Sequence, residues 1–329
     1  MNEINLSAFQ FEYDLTWMSF FQNAKGQTYT RYGGRDDSDS ESHLTQKSLK
    51  KTMERVLELH AKGLVKPWSK YEPHGEKWFT PEQMPILKKA MSKRKESCIH
   101  CHDIKNTMLR ELHAKGSLTK YDLFTYPSPK RLGIDVSRDE QTAIRAVVED
   151  SVAAKAGVKR GDRLLTANGQ RVLTYADFTR VLELTPTPGK LTLKVQRDGK
   201  DESLQLKLGP DWRRSPDPSW RASTGIVGPG AGFWANPIGD GQRKQLGIKK
   251  QAMAMKVVVV WAAWAKRAGV KNGDIVVEVD GLKTNSTMRQ IHAKLQLGRE
   301  WGETIQVNVI RKGKPMELTM TLPKSPAGE

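Results

Sequence analysis

An internal repeat constrains this chain more than any other feature. Ala156-Gly157-Val158-Lys159-Arg160-Gly161-Asp162-Arg163-Leu164-Leu165-Thr166-Ala167-Asn168-Gly169 recurs, 112 residues later, as Ala268-Gly269-Val270-Lys271-Asn272-Gly273-Asp274-Ile275-Val276-Val277-Glu278-Val279-Asp280-Gly281. The turn Arg197-Asp198-Gly199-Lys200 recurs 114 residues later as Arg311-Lys312-Gly313-Lys314, so the second copy carries two extra residues. A period this long belongs to a whole domain rather than to a solenoid turn. In each copy the glycines mark a link from a short helix to a strand. Asn168-Gly169 and Asp280-Gly281 read as hairpin turns, and helices over Tyr175 to Leu184 and Thr287 to Gln296 precede two closing strands.

The two copies, residues 130–208 and 245–323, resemble PDZ domains of the bacterial kind. The resemblance implies strand addition: the C-terminus of a partner protein lies between a sheet edge and a helix, its carboxylate held by successive backbone N–H groups. The family's carboxylate loop, Gly-Leu-Gly-Phe in its best-known form, has counterparts in Leu132-Gly133-Ile134 and Leu246-Gly247-Ile248, which are the expected peptide-binding residues. Lys130 and Arg131 before the first loop, and Arg243 and Lys244 before the second, favour a carboxylate. The competing reading is that these glycines serve only a strand start and the grooves are vestigial or self-occupied. PDZ modules often follow trypsin-like protease domains. Here there is no Gly-x-Ser-x-Gly, no Gly-Asn-Ser-Gly-Gly and no nucleotide loop, so no catalytic residue is assigned and the chain reads as more a binding or electron-transfer protein than an enzyme.

Both cysteines of the chain lie in Cys98-Ile99-His100-Cys101-His102. Two thiols three residues apart with an adjacent imidazole form the attachment pattern of a c-type haem, in which Cys98 and Cys101 make thioethers and His102 is the proximal iron ligand. A dithiol couple, a disulfide, or a zinc site completed by His100 and His102 are the alternatives. His113 lies eleven residues beyond His102, about 16 Å along a continuous helix, and cannot share the same iron. Met91, Met84, His74 and His60 are the candidate distal ligands, each with an ordinary structural explanation.

Residues 1–63 contain a strand-like run from Leu15 to Phe21, the turn Asn23-Ala24-Lys25-Gly26, an alternating run from Gln27 to Tyr32, and a helix with Leu49, Met53, Val56, Leu57 and His60 at helical spacing. This order resembles the C-terminal half of a thioredoxin fold, without its first strands and its redox Cys-x-x-Cys. Thr16-Trp17 stands where that family has a cis-proline next to a threonine. Residues 64–129 form a helical segment holding the haem motif, and residues 209–244 a Pro/Gly/Trp-rich linker with Trp212, Trp220 and Phe233-Trp234, expected to clamp the two PDZ modules together.

The expected fold class is therefore α+β and multidomain: a partial thioredoxin-like fold, a helical haem-attachment segment and two PDZ-type β-barrels. A formal charge of +17 favours acidic partners, anionic lipid surfaces among them. Lys and Arg are interleaved with Asp and Glu, however, and no nucleic-acid module is recognisable. No stretch is long and apolar enough to span a membrane. Covalent haem attachment implies export, and because the N-terminus lacks a signal peptide, a late start with a longer precursor is expected. The whole resembles multidomain thioredoxin-like/PDZ proteins of bacteria, and the expected function is an exported haem protein that carries or senses electrons with an unknown redox partner and docks to protein C-termini. The alternatives are a non-haem PDZ adaptor or chaperone-like scaffold with a Cys98–Cys101 disulfide, and a thiol–disulfide protein whose active site lies upstream of Met1.

Overall fold

The computed structural model describes residues 1–64, 80–94 and 98–324. The chain divides into two compact units: Met1–Thr107 with Phe124–Pro216, and Met108–Leu123 with Asp217–Glu329.

In the first unit, strands β1 (Met18–Gln22) and β2 (Thr28–Gly33) form an antiparallel hairpin around the expected turn, followed by helices α1 (Gln46–Ala61), α2 (Pro85–Met91) and α3 (Cys101–Ala114), the division between units falling within α3. The helical spacing in α1 is real, but its buried positions are Ser48 and Thr52, while Met53 and Leu57 face outward, 48% and 67% exposed. The β1–β2 pair is a two-stranded sheet by itself.

The first repeat copy then runs β3 (Ile134–Val136), β4 (Ile144–Val147), α4 (Val152–Lys155), β5 (Arg163–Ala167), β6 (Gln170–Arg171), α5 (Tyr175–Leu184), β7 (Gly189–Arg197) and β8 (Lys200–Leu208). Two sheets, β3-β4 and β6-β5-β7-β8, enclose one core. Alternation decides which side chains enter it. Along β7, Leu191, Leu193 and Val195 are buried while Lys190, Thr192, Lys194 and Gln196 face solvent, the period-2 pattern of a strand with one wet face. Trp212, from the stretch expected to be a linker, belongs to this core, and Arg213 donates to the carbonyls of Leu182, Glu183 and Thr185, closing the C-terminal end of α5.

In the second unit the order is β9 (Phe233–Pro237), α6 (Asp240–Gln245), β10 (Met255–Val260), α7 (Ala263–Arg267), β11 (Ile275–Val279), α8 (Met288–Gly298), β12 (Thr304–Arg311) and β13 (Lys314–Thr321), in one sheet of order β13-β12-β11-β10-β9. The sheet of the second copy thus begins inside the expected linker, with β9 antiparallel to β10.

The repeat is carried by the same bonds in both copies. Arg197 donates from Nε and a terminal nitrogen to both carboxylate oxygens of buried Asp162 and to the Gly157 carbonyl. Arg311 does the same to Asp274 and Gly269. The Ala-Gly-x-x-x-Gly-Asp segment is therefore a loop whose aspartate is tied to the penultimate strand of its sheet. The paired positive φ angles of Asp198-Gly199 (49° and 77°) and Lys312-Gly313 (51° and 78°) make the closing hairpin turns.

Candidate functional site

In a strand-addition groove the working parts are a loop with free N–H groups, the edge strand that follows it, and the helix facing that strand. In the first copy the loop is the 3-10 turn Pro129–Leu132 ending at Gly133, which adopts φ 84° and caps the turn. A Cβ at Gly133 would lie 2.2 Å from that of Ser151, the N-cap of α4, so both the handedness and the close approach require glycine. Leu132 and Ile134 are each 1% exposed and belong to the core. The facing helix is α5, capped by the Thr174 hydroxyl.

The chain's own residues 34–44 lie against this groove. Lys130 Nζ is 2.9 Å from Asp36 Oδ2 and 3.6 Å from Asp37. The His43 ring stacks on Tyr175, the first residue of α5, at 3.4 Å between centroids, and the His43 carbonyl accepts from Gln141 of the β3–β4 connection. At the far end Arg138 donates to the carbonyls of Glu41 and Leu44. Burial alone would push the Asp36 carboxyl up, but hydrogen bonds with His43, Ser38 and Lys130 outweigh it and hold the group well below the usual carboxylate range. The hairpin reinforces the cover from the other side of α5: the Thr30 hydroxyl and the Arg31 and Leu173 N–H groups donate to Asp177, whose burial pushes its pKa up to about 6.

In the second copy the expected loop is not at the groove. Leu246 caps α6, Gly247 has φ 66°, and Leu246 and Ile248 pack with Ile238, Ala254 and Ile275 in the connection between β9 and β10. Arg243 donates there to the carbonyls of Lys249 and Ala252, and is not offered to a ligand. The residues in the position of Leu132-Gly133-Ile134 are Ala231-Gly232-Phe233. Gly232 has φ 78°, and its carbonyl accepts from Trp261 and Ala262 as the Gly133 carbonyl accepts from Val148. The sequence signal was Gly230-Ala231-Gly232-Phe233, a closer counterpart of Gly-Leu-Gly-Phe than either loop named from the repeat. Among the described residues strand β9 is the end strand of its sheet, and no other strand pairs with its outer edge. At this edge stands His292 of α8: the Ala231 N–H donates to Nδ1 at 3.2 Å, and Nε2 lies 3.2 Å from the Phe233 carbonyl.

The Cys-x-x-Cys-His segment is a turn leading into α3. Cys98 is exposed, Cys101 is half-buried at the start of the helix, and both are free thiols. Ile99 is buried with its N–H donating to Asn2, and Arg94 grips Asp103 with both terminal nitrogens. The His102 ring lies parallel to that of His100 at 5.5 Å. Among the expected distal ligands, Met84 is fully buried in the core, Met91 ends α2, and His60 shares a 2.6 Å hydrogen bond with the Tyr29 hydroxyl. His74 lies outside the described residues. Among the described residues no three His, Cys, Asp or Glu side chains gather as a metal centre.

Two family models, each described as a PDZ domain, match residues 144–197 and 245–322, so the chain carries two PDZ domains in tandem. Among curated proteins it is similar to a probable periplasmic serine endoprotease, DegP-like, of Marinomonas sp. (strain MWYL1), with 27% identity over 184 residues, 56% of this chain and 37% of that protein. The protein of the same name from Pseudomonas savastanoi pv. phaseolicola is 25% identical over 183 residues, 54% of this chain and again 37% of the relative. The chain thus spans little more than a third of these relatives' length. A crystal structure of the HtrA3 PDZ domain bound to a phage-derived ligand is similar over 20% of this chain and 60% of that one, with 23% identity and a TM-score of 0.18.

These relatives overturn the expected electron-handling function. They are named as serine endoproteases, so the haem c cofactor, the electron-transfer role and its redox partner, the non-enzymatic adaptor or scaffold, and the preference against an enzyme are all withdrawn. Within the motif only Ile99 is buried while Cys98, His100 and His102 are exposed, and among the described residues no further ligating side chains gather about the two free thiols. The expected export agrees with these relatives, which are named as periplasmic, and among the described residues no helix is long and apolar enough to cross a membrane.

Proposed function

We propose that the chain acts in endoproteolysis of the DegP-like type, its PDZ modules capturing the C-terminal tails of polypeptides and presenting them for cleavage. The observation that carries this reading is the second groove: an end strand, β9, preceded by the glycine loop Gly230–Phe233 and faced by α8. An incoming strand would pair with the outer edge of β9, and its carboxylate would take the loop N–H groups. The first groove has the same parts in Leu132-Gly133-Ile134 and α5 but is covered by residues 34–44, so we assign it a regulated role. Residues 1–63, whose hairpin and helix resemble the closing half of a thioredoxin fold, serve as that cover.

The test is a fluorescence-anisotropy titration of the full chain with labelled octapeptides ending in Ala, Val, Leu or Phe, each as free acid and as C-terminal amide. The free acids are expected to bind at least tenfold more tightly than the amides. Equal binding of the two forms sinks the reading. A fluorophosphonate probe and casein cleavage, applied to the same material, report any serine protease chemistry that accompanies it.

A further inference from the structure

We propose that His292 is a proton-operated latch on the second peptide groove. The inference rests on the peptide-capture reading above and concerns how that groove is opened.

The imidazole accepts the Ala231 N–H at Nδ1, so the proton of the neutral ring is on Nε2, which donates to the Phe233 carbonyl. Ala231 and Phe233 are alternate residues at one strand edge, the edge turned away from β10, since the intervening Gly232 carbonyl is the one bonded to Trp261. The neutral ring therefore takes one donor and one acceptor of the backbone at which an added strand would have to pair. The fit is close: a Cβ on Gly230 would lie 2.7 Å from Nδ1, and the rings of Trp234 and Trp261 lie near-parallel to the imidazole at 6.2 and 6.0 Å.

Protonation breaks this arrangement from one side. Nδ1 becomes a donor, two N–H groups then face each other at Ala231, and the ring must turn out of the edge. The loop N–H is left free, with an imidazolium beside it. The charged residues on the flanking elements are cationic, Arg289 and Lys294 on α8, Lys266 and Arg267 on α7, and Lys256 on β10, while β9 carries none; Asp217, which reaches α8 from the segment before the loop, accepts from the Gln290 amide and the Ser219 N–H. Lys294 is turned to the Asp280 carbonyl. No acid on these elements stabilises a charged ring, and burial lowers the pKa of His292 from its ordinary value. The missing anion is what a peptide terminus brings. Carboxylate binding and ring protonation are thus linked, each favouring the other, and the groove is closed at neutral pH and opens on acidification.

The experiment is the peptide titration on the full chain at pH 7.5 and pH 5.0, with wild type and His292→Ala. A peptide carboxyl is ionised at both values, its pKa being about 3.5. For wild type the affinity of the free-acid peptides is expected to rise at least tenfold at pH 5.0, with no rise for the amides, and His292→Ala is expected to bind the free acids with the same affinity at both. Binding that is present but flat with pH in wild type, or a rise that survives in His292→Ala, overturns the latch and leaves the peptide reading standing. Absence of binding by either protein at any pH overturns the reading and the latch with it. Independently of any peptide, the ring nitrogens in a nitrogen-15 spectrum of wild type should show the Nε2–H form at pH 7.5, and the Ala231 amide should shift in step with the ring's titration. An Nδ1–H form, or an Ala231 amide indifferent to it, overturns the latch.

Discussion

Lys130 and Asp36 meet at 2.9 Å at the carboxylate end of the first PDZ groove, so the cation that precedes the glycine loop is already answered by a carboxylate of the same chain. The cover formed by residues 34–44 therefore presents the chemistry of a peptide terminus to the loop. Asp36→Ala should loosen it. The expected outcome is a second peptide-binding site per chain in the anisotropy titration, together with faster trypsin cleavage at Arg35. Because the Asp36 carboxyl is held below its ordinary value, its contribution to the cover is full at neutral pH and is lost only as pH falls below about 4, through the folded-state pKa. An unchanged site count in the variant would mean that the cover does not compete with peptide.

The cover is also where the sequence fell silent. The repeated Ala-Gly-x-x-x-Gly-Asp segment was legible because its partners, Arg197 and Arg311, sit in matching turns of each copy, and the Asn-Gly and Asp-Gly hairpins are local chemistry. The Asp36–Lys130 and His43–Tyr175 contacts join residues about a hundred apart, and neither leaves a spacing in the chain. The helical pattern in α1 gave the right element and the wrong face, because Ser48 and Thr52 find hydrogen-bond partners inside while Met53 and Leu57 stand exposed. The Cys-x-x-Cys-His motif failed for the opposite reason: it is local, and its spacing carries no information on whether other ligating side chains gather about it, which among the described residues they do not.

Asp177 makes a pH prediction of the other sign. Burial raises its folded pKa to about 6 from 3.8, so the protonated form favours the folded state, and the stability this group confers is full below about pH 4 and is lost as pH rises through 6. The loss is about 3 kcal/mol for a group of this shift. Asp177→Asn removes the titration and keeps an acceptor for Thr30 or Arg31. Relative to wild type, its melting midpoint should therefore improve as pH is raised from 4.5 to 7.5. A difference between the two proteins that stays constant across that range would show that Asp177 does not titrate there.

Arg197→Ala and Arg311→Ala test the repeat. Each leaves a buried aspartate, Asp162 or Asp274, with its backbone N–H donors but without its guanidinium. Removing one partner of a buried pair costs about 3 kcal/mol. Each substitution is expected to lower the midpoint of its own unit in a calorimetric scan by several degrees. Equal small effects in both would mean that the ion pairs are ornaments on cores that hold without them.

Two glycines distinguish the two candidate loops of the second copy. At Gly232 a Cβ would lie 2.5 Å from the Ala262 Cβ and 2.7 Å from Trp264, on a backbone of φ 78°. At Gly247 the φ is 66° and a Cβ meets nothing within 4 Å. Gly247→Ala should therefore cost only the left-handed conformation, about 1 kcal/mol, and leave peptide affinity at pH 5.0 as it was. Gly232→Ala adds a clash that neither the short Ala262 side chain nor the indole can relieve without moving the loop. It should cost roughly 3 kcal/mol or more and weaken the free-acid peptides at least tenfold where the protein remains folded, as checked by circular dichroism. If the effects fall the other way round, the carboxylate loop is Leu246-Gly247-Ile248 and β9 is not the recognition strand.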